Sequence, residues 1–244
     1  MKPSKEAGFT IIETMLFLAI TAFLIVGILI GTGTSINRQR YRDSVSSLQS
    51  FFQQQYSEVA NVENDRQPIY KCDSSNVEKP LGQSDCFILG KFISSDSSDS
   101  GKLIIKGVLG TTTPTNSNND VSAFIDSHII VSPVGEDSYD LEWRAKLTDK
   151  TSGHPSLYIS MLILRSPSSG VIRTFIKSST DPAGIVQDGN ISSLLDAKLL
   201  KGANVTTMCV DSNGLFMGAM SALVISPDAT GSSGIETLGA ISGC

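Results

Sequence analysis

The spacing of apolar residues changes along the chain, and each change predicts a different kind of element. Residues 9–31 form an almost unbroken apolar run, FTIIETMLFLAITAFLIVGILIG, in which Glu13 is the only charged residue. A helix needs about 20 apolar residues to span a bilayer, so this run predicts the transmembrane half of a helix. Because an ionisable side chain in such a span costs roughly 2.5–3.5 kcal/mol on insertion scales, Glu13 requires a functional explanation.

Beyond residue 37 the apolar residues recur every three or four positions, which is the spacing of one helical face. They are Val45, Leu48, Phe52, Tyr56, Val59 and Val62. The positions between them are polar, among them Arg42, Ser46, Gln53 and Gln54. Pro68 predicts a break soon afterwards. We therefore predict one helix with a transmembrane half (9–31) and an amphipathic half (32–66), followed by a domain over 67–244.

From residue 70 onward, short β-branched and aromatic segments alternate with turn-forming clusters, which is typical of strands. The short links at 166–170 (SPSSG) and 211–214 (DSNG) predict antiparallel pairing, because parallel strands need long crossovers. The predicted fold class is α+β, with the long amino-terminal helix packed on an antiparallel β-sheet domain. A short helix over 192–200 with Asn190 as its cap is also predicted. The predicted strands are Cys86–Ile93, Lys102–Leu109, Ala123–Val131, Tyr139–Leu147, Leu157–Leu164, Val171–Ile176, Val205–Val210, Leu215–Ile225 and Ile235–Ile241.

The four cysteines are Cys72, Cys86, Cys209 and Cys244, with neither a CxxC pair nor a Cys/His cluster. An even number of cysteines in an exported domain predicts disulfides, and four cysteines allow three connectivities. We predict the pairs Cys72–Cys86 and Cys209–Cys244, because each pair closes a compact local loop. No zinc or redox site is expected.

The net charge of −5 argues against a broad phosphate-binding surface, although it is compatible with a local basic patch. Residues 202–244 contain no Lys or Arg. We therefore expect no nucleic-acid partner. The basic residues that lie nearest one another in the predicted domain are Arg144, Lys146, Lys150, Arg165, Arg173 and Lys177.

Residue types that carry catalysis or bind metals are sparse. The histidines are His128 and His154, and the trio 126–128 (Asp-Ser-His) carries no information, because a catalytic triad is assembled in space. The acidic segments 94–100 (SSDSSDS) and 211–214 lack the spacing of an EF-hand and are interpreted as solvated turns. We expect no enzymatic activity, no metal and no cofactor.

Residues 8–13, GFTIIE, together with the apolar run, resemble the class III signal of type IV pilins and type II secretion pseudopilins. In that family a membrane peptidase cuts after the glycine, which here is Gly8, so residues 1–8 are expected to be a leader peptide. The resemblance implies a methylated amine on Phe9 and a role for Glu13 in filament assembly. Since Phe9 and Glu13 are four residues apart on one helix face, Glu13 of one subunit can meet the amine of its neighbour.

The carboxy-terminal run MCVDSNGLFMGAMSALVISPDATG, followed by AISGC, resembles the FimT/GspH-type minor pseudopilins, in which a strand enters an Asp/Asn-Gly turn and a longer strand returns. The resemblance implies a structural subunit, a minor pilin or pseudopilin, of a type IV pilus-like filament. Its expected partners are other pilin subunits, the pilus assembly platform and the prepilin peptidase. Before assembly it would cross the inner or cytoplasmic membrane once with a cytoplasmic amino terminus, and afterwards it would belong to an extracellular filament.

Three alternatives stay open. A plain signal anchor has the same apolar run but leaves Glu13 and the junction between Gly8 and Phe9 unexplained. A major pilin, or a minor pilin that binds DNA during uptake, would carry the same signal. Flanking charge slightly favours the opposite topology under the positive-inside rule, because residues 1–8 carry two lysines and residues 38–43 three arginines, each group offset by one acid.

Overall fold

The structure is a computed structural model that describes residues 10–61, 86–114, 119–132, 135–151, 153–195, 206–214, 220–226, 229–239 and 244. It divides into two compact units, residues 1–40 and 41–244. The helices are α1 (Ile11–Ala60) and α2 (Asp120–Asp126). The strands are β1 (Phe87–Ser95), β2 (Lys102–Gly110), β3 (Ile129–Val131), β4 (Asp137–Asp140), β5 (Lys146–Thr148), β6 (Tyr158–Arg165), β7 (Ile172–Ser179), β8 (Thr206–Asp211), β9 (Ser221–Ile225) and β10 (Ile235–Leu238).

These strands form two antiparallel sheets. The larger sheet has six strands in the order β3-β2-β1-β6-β7, with β4 also paired to β2. The smaller sheet has four strands in the order β10-β9-β8-β5. Every strand pair described is antiparallel, which agrees with the predicted α+β class and with short links between strands.

The central strands of the six-stranded sheet, β1 and β6, are buried on both faces. Adjacent residues of β6 alternate between two hydrophobic clusters, with Met161 in the first and Leu162 in the second. The first cluster contains residues 41–59 of α1 and side chains from both sheets, whereas the second contains α2 and the segment 186–195. Burial on both faces explains why β6 reads as a continuous apolar run rather than an alternating one.

Strands β1 and β6 approach each other so closely at Gly90 that only glycine fits. The pairing of β1 with β2 shifts register between Ile88 and Gly90, which marks a β-bulge. A methyl group added at Gly90 would lie 1.9 Å from the carbonyl oxygen of Ile163. The glycine therefore allows the bulge to form in the middle of the larger sheet.

The predicted strand Ala123–Val131 is wrong over its first half, which is the helix α2. Asn119 accepts a hydrogen bond from the backbone N–H of Ser122, and the Ser122 hydroxyl accepts one from the N–H of Asn119, which forms a capping box. The apolar side chains suggested a strand because a helix of seven residues is too short to establish a 3.6-residue period. Only Ile129–Val131 of this segment forms a strand, β3.

The predicted strand Tyr139–Leu147 is interrupted. It contributes to β4 and β5, which belong to different sheets, and a 3-10 turn at 142–144 separates them. Within that turn Trp143 and Arg144 have φ values of 58° and 61°, in the left-handed region that bulky side chains rarely adopt. A segment with this backbone cannot continue as one strand.

The other predicted strands up to residue 210 are present, with ends shifted by a few residues. Of the last two, β9 begins at Ser221 and β10 ends at Leu238, and residues 215–219 and 240–241 lie outside the described residues. The 166–170 link joins β6 to β7 as predicted. The 211–214 link is not a tight hairpin, because Val210 pairs with Ser221 and a longer connection lies between them. Segment 188–194 is a 3-10 helix that begins before Asn190, and residues 196–200 lie outside the described residues. Helix α1 ends at Ala60, and positions 62–66 also lie outside the described residues.

Candidate functional site

The first part of α1, residues 11–40, is an apolar helix with exposed side chains. The exposed fraction reaches 77% at Ile11 and 80% at Phe23. By length and composition this helix can cross a membrane, and none of its most apolar stretch is buried within the protein. One amino-terminal helix of membrane length is therefore present, as the apolar run predicted.

Glu13 lies in the first turn of this helix. Its backbone N–H donates to Oγ1 of Thr10 at 3.3 Å, which makes Thr10 a helix cap. The Glu13 side chain is exposed, and within the described residues no lysine or arginine forms an ion pair with it. A carboxylate is favoured at a helix amino terminus, but in hydrocarbon it also needs a cationic partner. In a membrane, a cationic partner for Glu13 would have to come from outside the described residues.

Four threonines in the first part of α1 form hydrogen bonds within their own helix. Each of four threonine hydroxyls donates to a backbone carbonyl three or four residues earlier, as Thr21 does to Phe17 at 2.9 Å. Because such a hydroxyl has a partner inside its own helix, it needs none from a neighbouring chain. Glu13 therefore differs from these threonines, because its side chain has no such partner within its own helix. The four threonines are Thr14, Thr21, Thr32 and Thr34.

The second part of α1, residues 41–60, is a component of the β-rich unit. The predicted apolar face is buried at Val45, Leu48, Phe52, Tyr56 and Val59, and each of these is at most 7% exposed. Tyr41 and Phe51 extend that face beyond the predicted set, and Val62 lies outside the described residues. The pattern of steps of three and four thus placed this face correctly.

Hydrogen bonds from both edges of this face fix α1 to the two sheets. Tyr41 donates to the carbonyl of Val210 at 2.8 Å. The Tyr139 hydroxyl donates to Ser47, and the Tyr139 ring stacks on Phe51 with their centroids 4.2 Å apart. At the carboxy-terminal end, Arg165 donates to the carbonyl of Ala60 at 3.2 Å, which satisfies one of the carbonyls that a helix end leaves unpaired. The sequence pattern did not reveal these contacts, because each joins residues about a hundred or more positions apart.

The structure describes only some of the remaining predicted site residues. Cys209 and Cys244 form a disulfide with a Cα–Cα distance of 5.5 Å, as predicted. Gly8 and Phe9, the predicted processing site, lie outside the described residues. Cys72 does too, so its pairing with Cys86 stays a prediction.

No family model, curated protein or solved structure matches this chain.

The Asp126-Ser127-His128 trio forms the end of helix α2 rather than a catalytic triad. The Ser127 hydroxyl donates to the carbonyl of Ala123 at 2.6 Å, and Nδ1 of His128 lies 2.9 Å from the carbonyl oxygen of Asp126. Among the described residues no group of three His, Cys, Asp or Glu side chains could hold a metal ion. The acidic turn at 96–101 directs its carboxylates to its own backbone, as Asp96 does to the N–H of Ser98.

Several basic residues that could form a phosphate-binding patch are instead paired within the unit. Arg173 binds Asp120 at 2.8 Å, Arg165 binds the end of α1, and Lys146 lies 3.9 Å from Asp99. A guanidinium held by a carboxylate has less capacity to neutralise a phosphate. These contacts do not favour a nucleic-acid interface.

Proposed function

We propose that this protein is a structural subunit, a minor pilin or pseudopilin, of a type IV pilus-like filament. It is cleaved after Gly8, anchored in the membrane by the first part of α1, and assembled through that helix. Its β-rich unit carries the contacts that the filament makes with its surroundings. The proposal assigns it no catalytic reaction.

The observation that carries the proposal is the isolation of Glu13. It is the only charged residue between positions 9 and 31, it lies in the first turn of an exposed apolar helix, and it has no ion-pair partner among the described residues. In a bundle of such helices the amine of Phe9 in a neighbouring chain supplies the missing charge. Such a pair fixes both register and order of addition, because misplacement leaves a charge unpaired in a low-dielectric core.

The β-rich unit supports the same function. Residues 41–60 of α1 bury one face against both sheets, so the helix is part of the fold of the outer domain rather than a detachable anchor. A filament subunit needs this arrangement, because force applied to the assembled helices must reach the outer domain through packed contacts. The polar face of this helix, which includes Arg42 and Gln54, is exposed.

The test replaces Glu13 with alanine in the cell that makes the filament. We expect normal cleavage but roughly a tenfold lower content of the variant in sheared filaments, because one lost charge pair of 1.4 kcal/mol already corresponds to a factor of ten. Amino-terminal mass spectrometry of the membrane fraction reports processing, and quantitative mass spectrometry of filaments reports incorporation.

Thr14→Ala is the matched control, because it is the neighbouring polar side chain and its hydroxyl is satisfied by Ile11 of its own helix. It should assemble like the unchanged chain. Equal amounts of the Glu13 variant and the unchanged subunit in filaments would refute the assembly role. Replacing Gly8 with a bulky residue tests cleavage separately, and a mature amino terminus at Phe9 in that variant would refute the cleavage assignment.

A further inference from the structure

A cleft crosses the face of the six-stranded sheet that is opposite α1. Two adjoining cavities of about 370 and 230 Å³ form it, and Lys106 and Asp188 line both of them. One wall is the sheet, and the other is the segment 182–195, which we call the strap. The combined space is in the size range of small-molecule sites, roughly 300–1,000 Å³. We call this feature the Lys106 cleft.

The walls of the Lys106 cleft are fixed in place. The Ser160 hydroxyl accepts from the N–H of Val186 at 2.8 Å and donates to its carbonyl at 3.1 Å, which attaches the strap to β6. Ile191 and Leu194 of the strap are at most 3% exposed within the second hydrophobic cluster. A ligand would therefore meet a preformed site and would not have to order the strap on binding.

The polar groups of the Lys106 cleft include both donors and acceptors. The Lys106 ammonium lies 3.0 Å from the Glu136 carboxylate and also binds Asp188. Both carboxylates are about half exposed, so each keeps lone pairs for further hydrogen bonds. Ser94 lines the smaller cavity and is 9% exposed. Together these groups offer a ligand carboxylate acceptors, an ammonium donor and a hydroxyl that can donate or accept.

The charges select against ionic ligands. Hydrogen bonding to Asp188 raises the pKa of Lys106, so the ammonium stays charged at neutral pH. Because Asp96, Glu136 and Asp188 outnumber this one cation, an anion would be repelled. A cationic ligand would have to compete with an ammonium that is already tethered between the carboxylates.

The larger cavity adds an apolar surface made by Ile129, Val131 and Ile191. A ligand that presents hydroxyl groups on its rim and C–H groups on one face matches these features together. We propose that the Lys106 cleft binds a neutral saccharide, whose hydroxyls donate to Glu136 and Asp188 and bond to Ser94. This site is independent of the assembly function proposed for α1.

The test uses the full chain in a zwitterionic detergent without a sugar headgroup, because glycoside detergents would compete. A panel of neutral mono- and disaccharides, including lactose and N,N′-diacetylchitobiose, is titrated by saturation-transfer NMR. Sialyllactose and spermidine serve as the matched anionic and cationic probes. We expect saturable binding of at least one neutral saccharide with a Kd on the order of 1 mM or tighter, and weaker binding of both charged probes.

Asp188→Asn and Ser94→Ala identify the site. We expect Asp188→Asn to weaken binding about tenfold and Ser94→Ala to weaken it several-fold. Asp137→Asn, an exposed carboxylate next to Glu136 but outside the cleft, should change binding less than twofold. The proposal is overturned if no neutral saccharide of the panel binds, if a charged probe binds more tightly, or if Asp188→Asn and Ser94→Ala both leave saccharide binding unchanged.

Discussion

A relay of two buried hydroxyls attaches α1 to the sheets, and it offers a sharp test of the packing described above. The Thr174 hydroxyl donates to the carbonyl of Ala229 at 2.8 Å, so it can only accept from the Tyr56 hydroxyl, which is 2.6 Å away. Tyr56 is 1% exposed and Thr174 is 4% exposed. Neither hydroxyl can replace a lost partner with bulk water, so removing either one has a cost that depends on the other.

The two single variants should differ in magnitude. Tyr56→Phe removes one donor and leaves Thr174 still donating to Ala229, so it should lower the free energy of unfolding by about 1 kcal/mol. Thr174→Val keeps the β-branched shape but leaves both the Tyr56 hydroxyl and the Ala229 carbonyl without partners. Each buried polar group without a partner costs about 1–3 kcal/mol, so we expect Thr174→Val to lower the free energy of unfolding by roughly 2–4 kcal/mol.

The double variant tests whether the two hydroxyls are energetically coupled. Once Thr174 is valine, Tyr56→Phe should be neutral or stabilising. In that background it removes an orphaned hydroxyl instead of breaking a bond, which predicts a coupling energy of about 1–2 kcal/mol. Guanidinium unfolding of the soluble fragment 38–244 measures all four free energies. If Tyr56→Phe costs the same in both backgrounds, the relay does not exist as described.

The same fragment gives three further tests. Gly90→Ala should cost about 1–3 kcal/mol or more, because its methyl group meets a β6 carbonyl, whereas Gly107→Ala, with its nearest neighbour at 3.6 Å, should cost much less. Replacing the Cys209–Cys244 pair with alanines should cost about 3–4 kcal/mol, and equal stability of the oxidised fragment and the variant would contradict this. Burial raises the pKa of Tyr56 above that of a tyrosine in the unfolded chain. The contribution of its hydroxyl to the free energy of unfolding is therefore complete below about pH 10. It is lost by about 1.4 kcal/mol per pH unit as the pH rises toward the pKa of the folded state. The stability gap between the unchanged fragment and Tyr56→Phe should therefore close above pH 10, and a constant gap would be inconsistent with burial of the phenol.

Periodic segments of the sequence predicted their structure well. The steps of three and four from Val45 to Val59 reflect a helix whose partner surface is one continuous cluster, so burial follows the period closely. Strands β6 and β7 were also located correctly, since the link at 166–170 is short enough to fix their pairing. In both cases a local rule was sufficient, because no distant contact opposed it.

Segments whose conformation depends on distant contacts were not predictable. Trp143 and Arg144 occupy the left-handed region because the turn is fixed on both sides. The N–H of Leu141 donates to Gly101, and that of Leu147 donates to Ser100. Tyr and Trp favour strands, so local propensity does not account for the break, whereas these tertiary bonds do. The Lys106 cleft was invisible for the same reason, since Lys106 and Asp188 are 82 positions apart in the chain.

The boundary between the two units is the position at which α1 becomes buried. Fragment 38–244 begins just before that position and is therefore a suitable test molecule. Residues 11–40 are exposed or half-buried throughout the helix, and Tyr41 is the first residue that is buried, at 5% exposure. Its hydroxyl donates to Val210 and accepts from the N–H of Ser221, so burial and hydrogen bonding to the four-stranded sheet begin at the same position. A fragment that begins before Tyr41 keeps every described residue of both hydrophobic clusters. A fragment that begins after α1 would lose Leu48, Phe52 and Tyr56, and at about 2–5 kcal/mol for each large core side chain that loss is comparable to the whole stability of a typical domain.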